Sequence, residues 1–139
     1  MLTHARFKGV SVASRTSTFY NIGAATQGFL LWGSWGFYVN YKVSLVNGIT
    51  SGLVQGIFSF IATLAVIRAL TFLFNLFEMK IMKYIIPTFL MVSALIFLSI
   101  IAHTFAGTPE ILKTITPNLF VSTLFCIFTT YKLINGKAH

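Results

Sequence analysis

Long runs without a charged side chain constrain this chain more than any other feature. No Asp, Glu, Lys or Arg occurs between Arg15 and Lys42, or between Lys42 and Arg68. A hydrocarbon core about 30 Å thick needs about 20 helical residues to cross it, and both runs are long enough. Only 9% of the 139 residues are charged, whereas a soluble domain carries roughly 25%. Because so few charges cannot cover a globule in water, the sequence predicts an all-α, polytopic integral membrane protein.

Four transmembrane helices account for the pattern of charges and turn residues. Asn47-Gly48 is a turn signal, and Glu78, Lys80 and Lys83 mark a water-exposed connection. The predicted spans are 18–41, 49–72, 84–105 and 111–134, with a basic N-terminal segment at 1–17 and a tail at 135–139. Pro87 is predicted to lie in the first turn of the third span, where proline is tolerated.

The connection between the third and fourth spans has the sequence of a helix stop followed by a helix start. Gly107 is predicted to end the third helix, and Thr108 to cap the fourth. Pro109 suits a first helical position, and Glu110 complements the helix dipole. Pro117 removes an amide donor and is predicted to free a carbonyl group, that of Lys113, and to kink the helix after a short interfacial piece.

The cations predict the orientation of the spans. Lys and Arg are enriched on the cytoplasmic side of a membrane protein. Eight cations fall on one side, and only Lys42 and Lys113 fall on the other: Arg6, Lys8, Arg15, Arg68, Lys80, Lys83, Lys132 and Lys137 make up the larger group. Both termini are therefore predicted in the cytoplasm. Cations placed between apolar runs give no patch for nucleic acid, so no nucleic-acid partner is expected.

The N-terminal segment is basic and precedes an apolar run, as in a targeting signal. The run ends in Val39-Asn40-Tyr41, which lacks the small residues of a cleavage site, so an uncleaved signal anchor is predicted. The predicted location is the bacterial inner membrane. Ser and Arg without acids also fit a mitochondrial presequence, which leaves the mitochondrial inner membrane as an alternative.

Small and polar residues form a stripe along the second predicted span. Spacings of three and four residues place them on one helix face, where small residues let two backbones approach closely. The stripe consists of Gly48, Ser51, Gly52, Gln55, Gly56, Ser59 and Thr63. It predicts helix packing within the chain; a homodimer seam and docking to a larger membrane protein are the alternatives.

Candidate functional residues cluster around the third connection. His103 and Glu110 have the chemistry of a proton relay or of half a metal site, although a structural histidine needs neither. The predicted functional segment on the outer side is His103, Thr108, Pro109, Glu110 and Lys113, with simple capping of the fourth helix as the alternative. Arg68 faces away from the stripe and is predicted to extend toward the headgroups, and Cys126 to pack as a small hydrophobe.

Catalysis lacks its usual parts in this sequence. The chain contains no Asp, and its two acids, Glu78 and Glu110, are predicted on opposite sides of the membrane. No phosphate-binding or dinucleotide fingerprint occurs. The sequence therefore predicts a non-enzymatic protein without catalytic residues, metal or cofactor.

Three stretches carry a resemblance to a known group. They are Trp35-Gly36-Phe37-Tyr38-Val39-Asn40, Ser51-Gly52-Leu53-Val54-Gln55-Gly56 and Ala106-Gly107-Thr108-Pro109-Glu110-Ile111-Leu112-Lys113-Thr114-Ile115. The chain resembles a group of small, uncharacterised bacterial inner-membrane proteins with four predicted helices, which implies a Gram-negative inner membrane and brings no activity with it. In size and topology alone it is similar to GtrA-type membrane proteins, which are proposed to move polyprenyl-linked sugars.

Two functions fit these observations. The first is an accessory or scaffold subunit that packs against a membrane-protein partner, or against its own copies, through its small-residue faces. The alternative is an oligomeric transporter or flippase for a lipid-linked substrate. The lipid bilayer is the expected surrounding in both cases.

Overall fold

Four α-helices make up the part of the chain that the structure describes. The structure is a computed structural model, and it describes residues 18–136, in which no strand occurs. The helices are α1 (Thr18–Asn40), α2 (Leu45–Leu76), α3 (Lys80–Phe105) and α4 (Ile111–Asn135). The predictions on Arg6, Lys8, Arg15 and Lys137, on segment 1–17 and on the end of the tail lie outside the described residues.

Three of these helices are long and apolar enough to cross a membrane, namely α2, α3 and α4. An all-helical membrane protein is the fold class that follows. The first helix, α1, carries no charge, but amide side chains such as Gln27 and Asn40, together with its glycines, make it less apolar. Its role as a fourth span belongs to the proposals below.

Two helices begin earlier than the sequence predicts. Ser44 caps α2, because its hydroxyl accepts a hydrogen bond from the Asn47 amide at 3.0 Å. The predicted turn at Asn47-Gly48 is therefore wrong, and both residues lie in the first turn of α2. Helix α3 begins at Lys80 rather than at residue 84, so Pro87 lies inside the helix instead of in its first turn.

The predicted start of α4 also needs correction. Glu110, not Thr108, occupies the capping position, and its side chain makes no capping hydrogen bond. Pro117 lies within one continuous helix, Ile111–Asn135, rather than behind a separate interfacial piece. The Thr108 side chain is used elsewhere, as described below.

Helix α2 lies at the centre of the bundle and contacts each of the other three helices, whereas α1 and α3 do not contact each other. We call the end that carries the α1–α2 and α3–α4 connections the upper end, and the opposite end the lower end. Toward the lower end the core is apolar, with a buried cluster of Val66, Leu70, Leu95 and Cys126. Polar side chains fill the core toward the upper end.

The contact between α1 and α2 depends on glycine. A Cβ atom added to Gly52 would lie 2.9 Å from the Gly33 carbonyl oxygen and 3.1 Å from the Phe37 Cβ. One added to Gly56 would lie 3.0 Å from the Phe29 ring. The two backbones therefore touch directly, a close approach that small residues permit between helices in a membrane.

We predict that Gly52→Ala destabilises the protein and that Gly23→Ala does not. The added methyl at Gly52 meets backbone on α1, and such overpacking costs about 1–3 kcal/mol. A Cβ at Gly23 meets nothing within 4 Å, so the same substitution there should be neutral or slightly stabilising. Thermal unfolding in detergent, followed by circular dichroism, measures both. Equal melting temperatures for the two variants would show that the α1–α2 contact yields easily.

Candidate functional site: a buried polar network and a cleft between α1 and α4

A tight turn after α3 positions the polar network. Gly107 has a φ of 65°, in the left-handed region that glycine adopts without strain. The Thr108 amide donates to the His103 carbonyl at 3.0 Å, and the Gly107 amide donates to the Thr104 carbonyl at 3.1 Å. These two bonds form a Schellman motif. The predicted helix stop at Gly107 is thus where the chain turns, and the turn brings Thr108 back over the end of α3.

His103 is the centre of this network and is fully buried. Its Nδ1 lies 2.8 Å from the Thr108 hydroxyl, and its Nε2 lies 2.5 Å from Gln55 Oε1 on α2. The Ser51 hydroxyl donates to the Thr108 hydroxyl at 3.2 Å. We refer to Ser51, Gln55, His103 and Thr108 as the polar network.

The hydrogen-bond directions in the network assign one tautomer to the histidine. Gln55 Oε1 is an acceptor, so His103 donates from Nε2 and accepts at Nδ1. Thr108 then donates to Nδ1 and accepts from Ser51, which completes an uninterrupted chain from Ser51 to Gln55. A neutral imidazole with its proton on Nε2 satisfies every contact of the ring. Among the described residues, the amide nitrogen of Gln55 is the buried side-chain nitrogen or oxygen that has no hydrogen-bond partner.

A hydroxyl beside an imidazole is also the geometry of a nucleophile and its base. Here Thr108 is only 6% exposed and His103 is not exposed at all, and neither lines the two pockets between α1 and α4. A ligand in either pocket would not touch this pair. The contacts give it a structural task, which is to tie the α3–α4 connection to α2.

Asn40, the last residue of α1, ties the same connection to α1. Its Oδ1 accepts from the Glu110 amide at 3.1 Å, and its Nδ2 donates to the Thr114 hydroxyl at 2.8 Å and to the Gly36 carbonyl at 2.8 Å. The first amides of a helix lack partners within the helix. Asn40 satisfies one of them from a neighbouring helix, which supplies the cap that Thr108 does not.

The proline in α4 has the predicted effect on a carbonyl group. Pro117 has no amide to donate to Lys113, and the freed carbonyl accepts instead from the indole nitrogen of Trp35 at 3.0 Å. This bond is a second tie between α1 and α4. Below it the two helices separate.

A cleft follows the seam between α1 and α4, with α2 at its back, and we call it the seam cleft. Its volume is about 300 Å³, at the lower limit for pockets that hold small ligands. Apolar side chains such as Trp32 and Leu119 make up most of its wall, and Leu31, Val121 and Phe125 at its rim are exposed. The cleft therefore opens sideways, toward the lipid in a membrane.

A short row of polar groups lies in the wall of the seam cleft. Asn118 Nδ2 donates to the Ser59 hydroxyl at 2.9 Å, and the Ser122 hydroxyl donates to Asn118 Oδ1 at 3.2 Å. Gln27 and Thr63 line the same cleft. A few placed polar groups in an apolar wall are typical of a site that orients an amphiphilic ligand.

A second, wider pocket lies on the same seam at the upper end of the bundle. Its volume is about 590 Å³, and we call it the upper pocket. Trp35, Tyr38 and Val39 line it from α1, Lys42 and Val43 from the α1–α2 connection, and Glu110, Leu112, Lys113, Thr116 and Pro117 from the start of α4. The Lys113 ammonium lies 3.1 Å from the Glu110 carboxylate, and both side chains are substantially exposed.

The predicted residues fall into separate places. Most of the α2 stripe is buried, and its three glycines face α1. Ser51 and Gln55 belong to the polar network and Ser59 and Thr63 to the seam cleft. The predicted functional segment is divided: His103 and Thr108 lie in the network, Glu110 and Lys113 in the upper pocket, and Pro109 is exposed in the connection. His103 and Glu110 do not share a partner, and no group of three metal-ligating side chains occurs within residues 18–136.

Sequence reasoning overlooked Asn40, Thr114 and Trp35. A carboxamide at the end of an apolar run is a signal for Asn40, because such a group in a membrane needs partners. Nothing in the sequence pairs Trp35 with a residue 78 positions away.

Comparison with family models, with curated proteins and with solved structures finds no match for this chain. The resemblance to bacterial four-helix membrane proteins stays a prediction, and the geometry alone supports the proposals that follow.

We predict that Thr108→Val destabilises the bundle by about 1–3 kcal/mol, because buried His103 and Ser51 each lose a partner. Thr104→Val is the matched control, since that hydroxyl is exposed and bonds only within its own helix, to the Ile100 carbonyl. Thermal unfolding of the two variants in detergent measures the difference. A Thr108→Val protein as stable as the control would mean that the network does not hold the connection.

Proposed function

We propose that this chain is a non-enzymatic membrane protein that binds a lipid-linked substrate in the seam cleft. The observation that carries the proposal is the cleft itself: a sideways opening, an apolar wall, and the Ser59–Asn118–Ser122 row of polar groups within it. A ligand with a long apolar chain can enter such a cleft from the bilayer without crossing water. A chain that binds a lipid-linked substrate in this way serves as a carrier or flippase, working as an oligomer.

The accessory or scaffold role is supported less well. A partner helix was expected to use the small-residue stripe, but α1 covers the stripe glycines in this chain. A partner would need another surface, and the large exposed side chains of the described helices are mostly apolar, as contact with lipid requires. Binding in the seam cleft requires no further surface.

The proposed setting is the bacterial inner membrane, with α1 as the fourth span and both termini in the cytoplasm. Two observations support it. The upper end has two cations, Lys42 in the α1–α2 connection and Lys113 at the start of α4. The lower end of the described chain has four, namely Arg68, Lys80, Lys83 and Lys132. Helix α1 packs along α2 over most of its length. An even number of spans places the two termini on one side.

We predict that cysteines at Val43 and Phe105 react with an impermeant thiol reagent from the periplasmic side, and that a cysteine at Met79 does not. All three side chains are well exposed, and a Cys126→Ala background removes the native thiol. Intact cells treated with a maleimide of high mass give the readout as a gel shift. Labelling at Met79 with silence at Val43 and Phe105 would reverse the proposed orientation.

Trp32 lies in the wall of the seam cleft and reports on its occupancy. We predict that phospholipid with brominated acyl chains quenches the tryptophan fluorescence of the native protein saturably in detergent. Trp32→Phe, which keeps Trp35 and its bond to the Lys113 carbonyl, should remove the saturable part of the quenching. Ala24→Phe fills the cleft and should weaken this quenching, because Ala24 lines it. Ala65→Phe places the same ring on an exposed face of α2 and should leave the quenching unchanged.

Two results would count against the lipid site. One is quenching that rises linearly with lipid and never saturates, which is contact with the micelle alone. The other is equal quenching in the Ala24→Phe and Ala65→Phe variants. A single membrane protein that co-purifies stoichiometrically with both variants would favour the accessory role instead.

A further inference from the structure

The upper pocket gathers the cations of the upper end. Lysine is depleted on the outer side of a membrane protein. Among the described residues, Lys42 and Lys113 are the only lysines or arginines at the upper end. Both line the upper pocket, although 70 residues separate them in the chain. Helix packing does not require two lysines at this end of the bundle, and it does not require that both line the same pocket.

The charges of the upper pocket do not cancel. Glu110 pairs with Lys113 at 3.1 Å, whereas Lys42 makes no ion pair within residues 18–136 and lies 5.6 Å from the centroid of the Tyr38 ring. Two lysines and one glutamate leave a single net positive charge. A singly charged anion matches this balance better than a zwitterion or a dianion.

The two ammonium groups are the charged donors of the upper pocket, beside the Tyr38 hydroxyl. The Trp35 indole is committed to the Lys113 carbonyl, and the Thr116 hydroxyl donates to the Leu112 carbonyl at 2.6 Å. Ammonium groups bind phosphate oxygens as point charges. Tyr38 and Trp35 form an amphipathic aromatic wall of the kind found at headgroup level.

The upper pocket and the seam cleft are neighbours on both helices. Their lining residues adjoin at Trp32 and Trp35 on α1, and at Asn118 and Pro117 on α4. One molecule with a polar head and an apolar chain therefore has a place for each part along the same seam.

We propose that the upper pocket binds the singly charged phosphodiester headgroup of a membrane lipid, between Lys42 and Lys113, while the lipid's apolar chain lies in the seam cleft. This inference rests on the proposed function for the chain, and it adds the selectivity for the headgroup. A lipid is the source of the phosphate because an apolar cleft that a free phosphate ester cannot use adjoins the pocket along the same seam.

The test compares phosphatidylglycerol, which has one negative charge, with phosphatidylcholine, which is zwitterionic, at equal chain length. The purified chain in neutral detergent should bind phosphatidylglycerol more tightly, as measured by native mass spectrometry. Because a lysine near anionic lipid contributes roughly fivefold to the affinity, Lys42→Gln/Lys113→Gln should remove most of this preference. Lys42→Arg/Lys113→Arg should keep it, which separates loss of charge from loss of folding.

Lys80→Gln/Lys132→Gln is the matched control, since it removes the same net charge from the lower end and should leave the preference unchanged. Equal loss in both double variants would show a general charge effect and overturn the headgroup site. Displacement of the lipid by an equal concentration of glycerol phosphate would overturn the lipid assignment. Saturable quenching of Trp32 without headgroup preference would overturn this inference and leave the proposed function intact, whereas the absence of quenching would contradict both.

Discussion

The direct contact between the backbones of α1 and α2 determines the layout of the bundle. At Gly33 and Gly52 there is no room for a side chain on either helix, because an added Cβ would meet the backbone of the other helix. Dispersion and weak interactions along such a contact drive helix association in lipid, where the hydrophobic effect no longer favours it. Helix α1 meets α4 at the upper end through Asn40 and Trp35, and the seam cleft lies between the two helices below these bonds.

The need to satisfy polar groups inside a low-dielectric core accounts for most of the remaining contacts. An unpaired backbone or side-chain group in hydrocarbon costs several kcal/mol, and here the groups left over by one helix are taken up by another. The carbonyl freed by Pro117 accepts from Trp35, and the amide of Glu110, the capping residue of α4, donates to Asn40. These bonds tie α1 to α4 at the upper end, beside the upper pocket, and the seam cleft lies below them.

The sequence predicted the helical class, the general positions of the four helices, the face of α2 that packs and the helix stop at Gly107. These features are local, since each depends on hydropathy or on spacing within one helix. The turn at Asn47-Gly48 was predicted wrongly because the Ser44 cap competes with it three residues earlier. Thr108 was predicted as a cap because of its position, but the Schellman turn rotates its hydroxyl onto His103. The seam cleft and the upper pocket depend on the distance between two helices, and a residue pattern within one helix does not predict that distance.

The polar residues of the described helices fall into two groups with opposite requirements. Those of the polar network stabilise the fold, and those of the two cavities are available to a ligand. The four side chains of the polar network are buried and joined by hydrogen bonds, and the Gln55 amide nitrogen is the group among them without a partner. A buried chain of hydrogen bonds of this kind stabilises one arrangement of the upper end. Lys42, Lys113 and the Asn118 row lie instead on surfaces that a ligand can reach, and Lys42 has no acidic partner within the described residues. A binding site needs polar groups that are not already paired, such as the Lys42 ammonium, and it needs them on a rigid support, because a support that relaxed would pair them internally. The fixed connection between α3 and α4 provides that support: it sets Glu110 and Lys113 at the start of α4, across the seam from Lys42, at the one level of the bundle where α1 and α4 are tied together.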